Sequence, residues 1–146
     1  MFFLEANVGI GTDFAKTVDI LQRAMDASLV RRDAIANNMA NADVPNYKRT
    51  VVNFESELKR ALDSEKEHPA LPLAVTNEKH IPNWRARDYR EVEPRRVLDY
   101  LTTAKNNGNN VDPEEELMLS MQNQLMYTLL ASAQTFEFGQ VNLVLR

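Results

Sequence analysis

From Phe14 to Met39 apolar residues recur at alternating spacings of four and three: Phe14, Val18, Leu21 and Met25, then Ile35 and Met39, with Ser28 and Arg32 in the two intervening positions. A repeat of about 3.5 residues is a coiled-coil seam. It predicts a helix from about Asp13 to Asn41, capped by Thr12 or Asp13. The other face, with Lys16, Asp19, Arg23, Arg31 and Asp33, reads as solvated or lightly contacted.

The C-terminal pattern has a different character. In "NNVDPEEEL", Asp112 can cap, Pro113 suits the first helical position, Glu115 sits where a capping-box acid belongs, and the three glutamates complement the positive helix end. A helix continues toward Arg146 with only Gly139 to weaken it. One face carries Met118, Met121, Leu125, Leu129, Phe136 and Leu143, and a second carries Leu119, Met126, Leu130, Val141 and Val144. Apolar residues occupy much of the remainder, so this helix must be buried nearly all round. Gln122, Asn123, Gln124, Gln134, Gln140 and Asn142 interrupt every apolar run well short of the roughly 20 residues a bilayer requires, so no direct membrane span is expected. One partner helix covers only a stripe. The uncovered remainder, at about 25 cal/mol per Å², is worth several kcal/mol, and other chains are expected to cover it.

The centre is polar. Residues 42–116 hold 27 charged side chains, whereas residues 117–145 hold one, Glu137. "NFESELKRALDSE" suits a short helix capped by Asn53, the proline-containing "HPALPLAVTNEKHIPNW" favours extended or irregular chain, "EVEPRRVLDYLTTAK" suits a strand or short helix, and "NNGNN" is a turn or flexible link. The resulting expectation is a mainly α protein whose two long terminal helices form an antiparallel coiled-coil-like hairpin, with a small irregular central insert able to hold short β segments. Residues 1–50 form the N-terminal axial helix and asparagine-rich turn, 51–110 the variable centre, and 111–146 the C-terminal axial helix.

Composition narrows the chemistry. At 146 residues the chain suits one domain, and its net charge of −4 offers no basic track for nucleic acid. Arg85, Arg87, Arg90, Arg95 and Arg96 cluster near Trp84 and Tyr89, but neighbouring acids cancel four of these charges. Cysteine is absent, which removes thiol catalysis and Cys-type zinc sites. His68 and His80 are isolated from each other and from ligand spacing. No catalytic residue, cofactor or metal is expected. The apolar start of the chain has no basic n-region and Glu5 interrupts it, so no cleaved signal peptide is expected.

The first helix ends in an unusual passage, "ANNMANADVPNYKR" from 36 to 49. Asparagine competes for backbone groups and prefers caps and turns. Asn37, Asn38 and Asn41 are expected to end the helix and bond exposed carbonyls or neighbouring chains, while Ala36, Ala40 and Ala42 permit close approach. Pro45 and Asn46 occupy the central positions of a turn in which residue 46 needs positive φ.

This passage resembles the signature of the flagellar rod and hook axial proteins, whose usual form is close to Ala-Asn-Asn-x-Ala-Asn-x-x-Thr-Pro-Gly-Tyr-Lys. Val44 and Asn46 depart from it, the latter with the next-best residue for a turn that glycine makes most freely. "GNNVDPEEELMLSMQNQLMY" is similar to that superfamily's second signature helix, and "FESELKRAL" with "LAVTNEKHIPN" points to a short proximal-rod member. The resemblance implies a structural subunit that polymerises through its terminal helices into the periplasm-spanning drive shaft of the flagellar basal body and transmits torque.

Expected partners are copies of itself, other flagellar rod proteins, the membrane-ring and rod-base adaptor proteins, and the type III export apparatus that would carry it out. The expected assembly contacts are Leu21, Met25, Ile35, Asn37, Asn38, Met39, Asn41, Pro45, Asn46 and Tyr47 from the first region and Met121, Leu125, Leu129, Phe136 and Leu143 from the last. A cytoplasmic coiled-coil adaptor or export chaperone is the alternative that the helical pattern leaves open.

Overall fold

A computed structural model describes residues 9–66, 76–77, 79, 87–102 and 105–145, with side chains from Asp13 onward. In chain order the elements are α1 (Gly9–Ala40), β1 (Thr50–Asn53), α2 (Glu55–Lys66), a 3-10 turn (Tyr89–Glu91), β2 (Arg95–Leu98) and α3 (Pro113–Val144). His68, His80, Trp84, Arg85 and the three prolines of the 68–84 stretch, about which the sequence made expectations, lie outside the described residues.

The two long helices form the antiparallel hairpin that the seam predicts. Phe14 meets Phe138 edge to face at 5.9 Å, Asn123 donates to the Ser28 carbonyl at 2.8 Å, and Asn38 donates to Glu116 at 3.2 Å. Each helix has 32 residues and so spans about 48 Å. The central insert contains a short two-stranded antiparallel sheet in the register Thr50↔Leu98, Val51↔Val97, Val52↔Arg96 and Asn53↔Arg95.

Several local expectations need correction. Helix α1 begins at Gly9, so Thr12 and Asp13 lie inside it and not at its start. No proline stands before Asp13 to stop the helix, and glycine lowers helix stability only by about 1 kcal/mol. Asn53 is the last residue of β1, and Phe54 holds the cap position of α2, its carbonyl accepting from Leu58 N–H at 2.9 Å. On α3 the Asp112 cap is as expected, accepting from Glu114 N–H at 2.9 Å, but the Glu115 carboxylate accepts from Arg49 at 2.8 Å. A full guanidinium charge outcompetes a backbone amide for that acid.

The buried face of α1 is also rotated in its second half. Ala27, Ser28, Ala34, Ile35 and Asn38 are buried, while Met39 is 40% exposed. The alanines let the partner elements approach closely, and Asn38 turns inward because β1 offers it a peptide group. The polar face of α1 is contacted: Lys16 pairs with Glu65, Arg31 with Glu55 at 2.6 Å, and Arg90 lies 3.6 Å from Asp19. Phe54, Ala61, Tyr89 and Val111 complete a small core in this region.

Candidate assembly site

A two-stranded sheet is marginal by itself. Here Asn38 acts as a third strand, accepting from Thr50 N–H at 2.9 Å and donating to Thr50 C=O at 2.9 Å. The same amide donates to Glu116 at 3.2 Å, and Tyr47 Oη lies 3.4 Å from its oxygen, so one side chain ties α1 to β1, α3 and the turn. Asn41 donates to the Asn37 carbonyl at 2.7 Å, closing the end of α1.

The chain then turns through Val44-Pro45-Asn46-Tyr47, with Tyr47 N–H donating to Val44 C=O at 3.4 Å. Asn46 has φ of 60°, the positive value that the Pro-Asn pair predicts. Against it packs the "NNGNN" turn. Asn46 N–H donates to Asn107 C=O at 3.0 Å, and Gly108 has φ of +79° with so little room that a Cβ there would lie 2.6 Å from Asn46 Oδ1. The positive φ favours glycine at 108, and a Cβ there would displace the Asn46 amide.

The sequence did not identify what these two turns enclose. Asn109 is fully buried, donating to the carbonyls of Asn41, Ala42 and Val44 at 2.8–2.9 Å and accepting from Val111 N–H at 2.7 Å. Asn110 accepts from Arg49 N–H at 2.7 Å and donates to Asp99 C=O at 2.7 Å. Arg49 reaches Glu115 at 2.8 Å and Glu116 at 3.0 Å. Burial raises the pKa of Glu116, an effect that the Asn38 hydrogen bond and Arg49 oppose and Glu115 reinforces. The available signal was a second asparagine-rich run directly before a capped helix; its amides serve the carbonyls left open by the first.

Two groups of expected contact residues therefore separate. Ile35 and Asn38 are buried within the chain, and Leu21, Met25, Asn41 and Tyr47 are half-buried. Asn37, Met39, Pro45 and Asn46 are exposed. Met121, Leu125, Leu129, Phe136 and Leu143 are 63–71% exposed. With Met118, these five lie on the face of α3 away from the seam with α1, because about 100° per residue places the centre of their stripe roughly a third to half a turn from Glu116, Leu119, Asn123, Leu130 and Val141. The two buried side chains of α3 are Glu116 and Asn123, both polar. The helix thus presents its more apolar side outward.

Residues 19–48, covering most of α1 and the asparagine-rich turn, match the family described as flagella basal body rod protein. The flagellar basal body rod protein FlgB of Borreliella burgdorferi is 40% identical over 134 residues, covering 92% of this chain and 98% of that one. FlgB of Borrelia hermsii is 41% identical over 91% of this chain and 98% of its own, and FlgB of Bacillus subtilis is 29% identical over 90% and 95%. A helical hairpin locked by paired asparagine-rich turns, with this similarity running over nearly its whole length, belongs to the FlgB family of flagellar basal body rod proteins.

Proposed function

We propose that this chain is a structural subunit of the flagellar basal-body rod and polymerises through the outward face of α3. The observation that carries the reading is the inverted polarity of that helix: Met118, Met121, Leu125, Leu129, Phe136 and Leu143 are each at least 61% exposed on one stripe. Burying what remains of six large apolar side chains would contribute on the order of 10 kcal/mol. That is comparable with the entire stability of a small domain. Such a stripe marks a contact surface.

Its near-absence of charge suits packing among helices, since burying ions there would require each to be paired. Neighbours that meet by heterologous contacts extend without closing, which is the symmetry of a rod. In this reading the rod spans the periplasm as a drive shaft and carries torque by interdigitated side chains. Its partners are further copies, other rod proteins, the membrane-ring and rod-base adaptor proteins, and the type III export apparatus.

Leu129→Asp tests the proposal. Leu129 is 66% exposed, so the variant should fold and be exported. It should fail to enter basal bodies, and the cells should be non-motile. Normal motility with the variant incorporated would overturn the assignment of this face.

A further inference from the structure

Among the described residues the sheet ends at an open edge, the outer side of β2. Asp99 N–H donates to Arg49 C=O at 2.8 Å, so the peptide groups of residues 49 and 99 face each other across the sheet and, by alternation, so do those of 51/97 and 53/95. The peptide groups of Arg96 and Leu98 therefore point away from β1. They meet no hydrogen-bond partner among the described residues.

The side chains of this edge are equally unpartnered. Arg23, Arg31, Arg32, Arg49, Arg60, Arg87 and Arg90 all enter ion pairs, whereas Arg95 and Arg96 enter none among the described residues. Val97 is 51% exposed, and it lines a shallow groove with Val51, Leu98, Tyr100 and Leu101.

We propose that β2 is an interaction edge for a second copy of this chain, pairing antiparallel with its own counterpart about a two-fold axis through Val97. The strand's sequence selects this register. Outward residues must oppose outward residues, so the alternatives are the pairings centred on Arg96, Val97 or Leu98. Centring on Arg96 opposes like charges and sets Leu98 against Pro94, which has no N–H to give. Centring on Leu98 places Val97 opposite Asp99.

Only the Val97 register avoids both conflicts. It opposes Val97 to Val97, Arg96 to Leu98 as the hydrogen-bonded pair, and Arg95 to Asp99 in both halves. The Asp99 carboxylate, held by Thr102 and Leu101 and lowered in pKa by them, stays ionised opposite the arginine. Two two-stranded sheets become one four-stranded sheet. This contact closes on itself and uses none of the outward residues of α3, so it stands or falls separately from the rod assignment.

Directly opposed residues of a pair that exchanges no hydrogen bonds lie about 4.5 Å apart at Cα, within disulfide range. Val51 neighbours Val97 on the same face and is 41% exposed, yet in the paired dimer the two Val51 positions lie three strand spacings apart, roughly 14 Å. In the full chain under mild oxidation, Val97→Cys should therefore form a disulfide-linked dimer roughly tenfold faster than Val51→Cys. Adding Arg95→Asp to Val97→Cys should slow the reaction severalfold, because Asp then opposes Asp99 in both halves. Both parent positions are solvent-exposed, and circular dichroism checks that each variant keeps its helices. Equal crosslinking at 51 and 97, none at 97, or a rate indifferent to Arg95→Asp would overturn the proposal.

Discussion

Replacing Asn109 should test whether the two asparagine-rich turns are a lock or merely adjacent. The amide of Asn109 contacts the carbonyls of Asn41, Ala42 and Val44, but each of these keeps another donor: Val44 N–H, Lys105 Nζ and Tyr47 N–H, respectively. The group that loses its partner in Asn109→Ala is the N–H of Val111, which belongs to a fully buried residue and donates to Asn109 Oδ1 at 2.7 Å. A buried orphan donor costs about 1–3 kcal/mol, and the three weakened carbonyls add about 1 kcal/mol together, so Asn109→Ala should cost about 2–4 kcal/mol.

Asn109→Asp preserves the shape and the bond to Val111, yet it turns an acceptor toward three carbonyl oxygens and buries a charge. It should cost about 4 kcal/mol or more, exceeding the alanine variant although it is the smaller change in volume. Urea unfolding of the dilute chain, followed by far-UV circular dichroism, would measure both. An aspartate variant milder than the alanine one, or within about 1 kcal/mol of the parent, would refute the reasoning.

Other predictions follow from single contacts. Gly108→Ala should destabilise by about 1–3 kcal/mol through its positive φ and its clash with Asn46, and Asn46→Gly in the same chain should recover part of that loss; strictly additive effects in a double-mutant cycle would count against the clash. Because the folded chain holds the Glu116 proton more tightly than the unfolded chain, that residue favours folding below its ordinary value of 4.5, and the contribution is lost as pH rises through its raised folded value. Relative to Glu116→Gln, the parent should therefore lose stability as pH climbs out of the ordinary carboxylate range; urea midpoints across a pH series would reveal a constant or opposite gap if this is wrong. Gly139 has nothing within 4 Å of where a Cβ would stand, so Gly139→Ala should stabilise the isolated chain by about 0.5–1 kcal/mol. In the rod the same change should reduce assembly, since residue 139 lies on the outward stripe; a variant both more stable and fully assembled would remove any role for close approach there.

The sequence alone determined the long helices, the Asp112 cap and the Pro45-Asn46 turn, because each depends on residues near one another in the chain. Periodicity also showed that α3 has more apolar surface than one partner can cover, which is a property of its composition and needs no coordinates. Tertiary structure decided which side of α3 faces inward, and it chose the seam with Glu116 and Asn123 over the richer stripe of Met121, Leu125 and Leu129. It also decided that Asn38 and Asn109 are internal ties rather than surface groups. Their partners lie 12 or more and 65 or more residues away, at Thr50 and Glu116 for the first and at Asn41, Ala42 and Val44 for the second. An amide in a sequence declares that it needs hydrogen bonds, but only the folded path of the chain determines which distant peptide groups supply them.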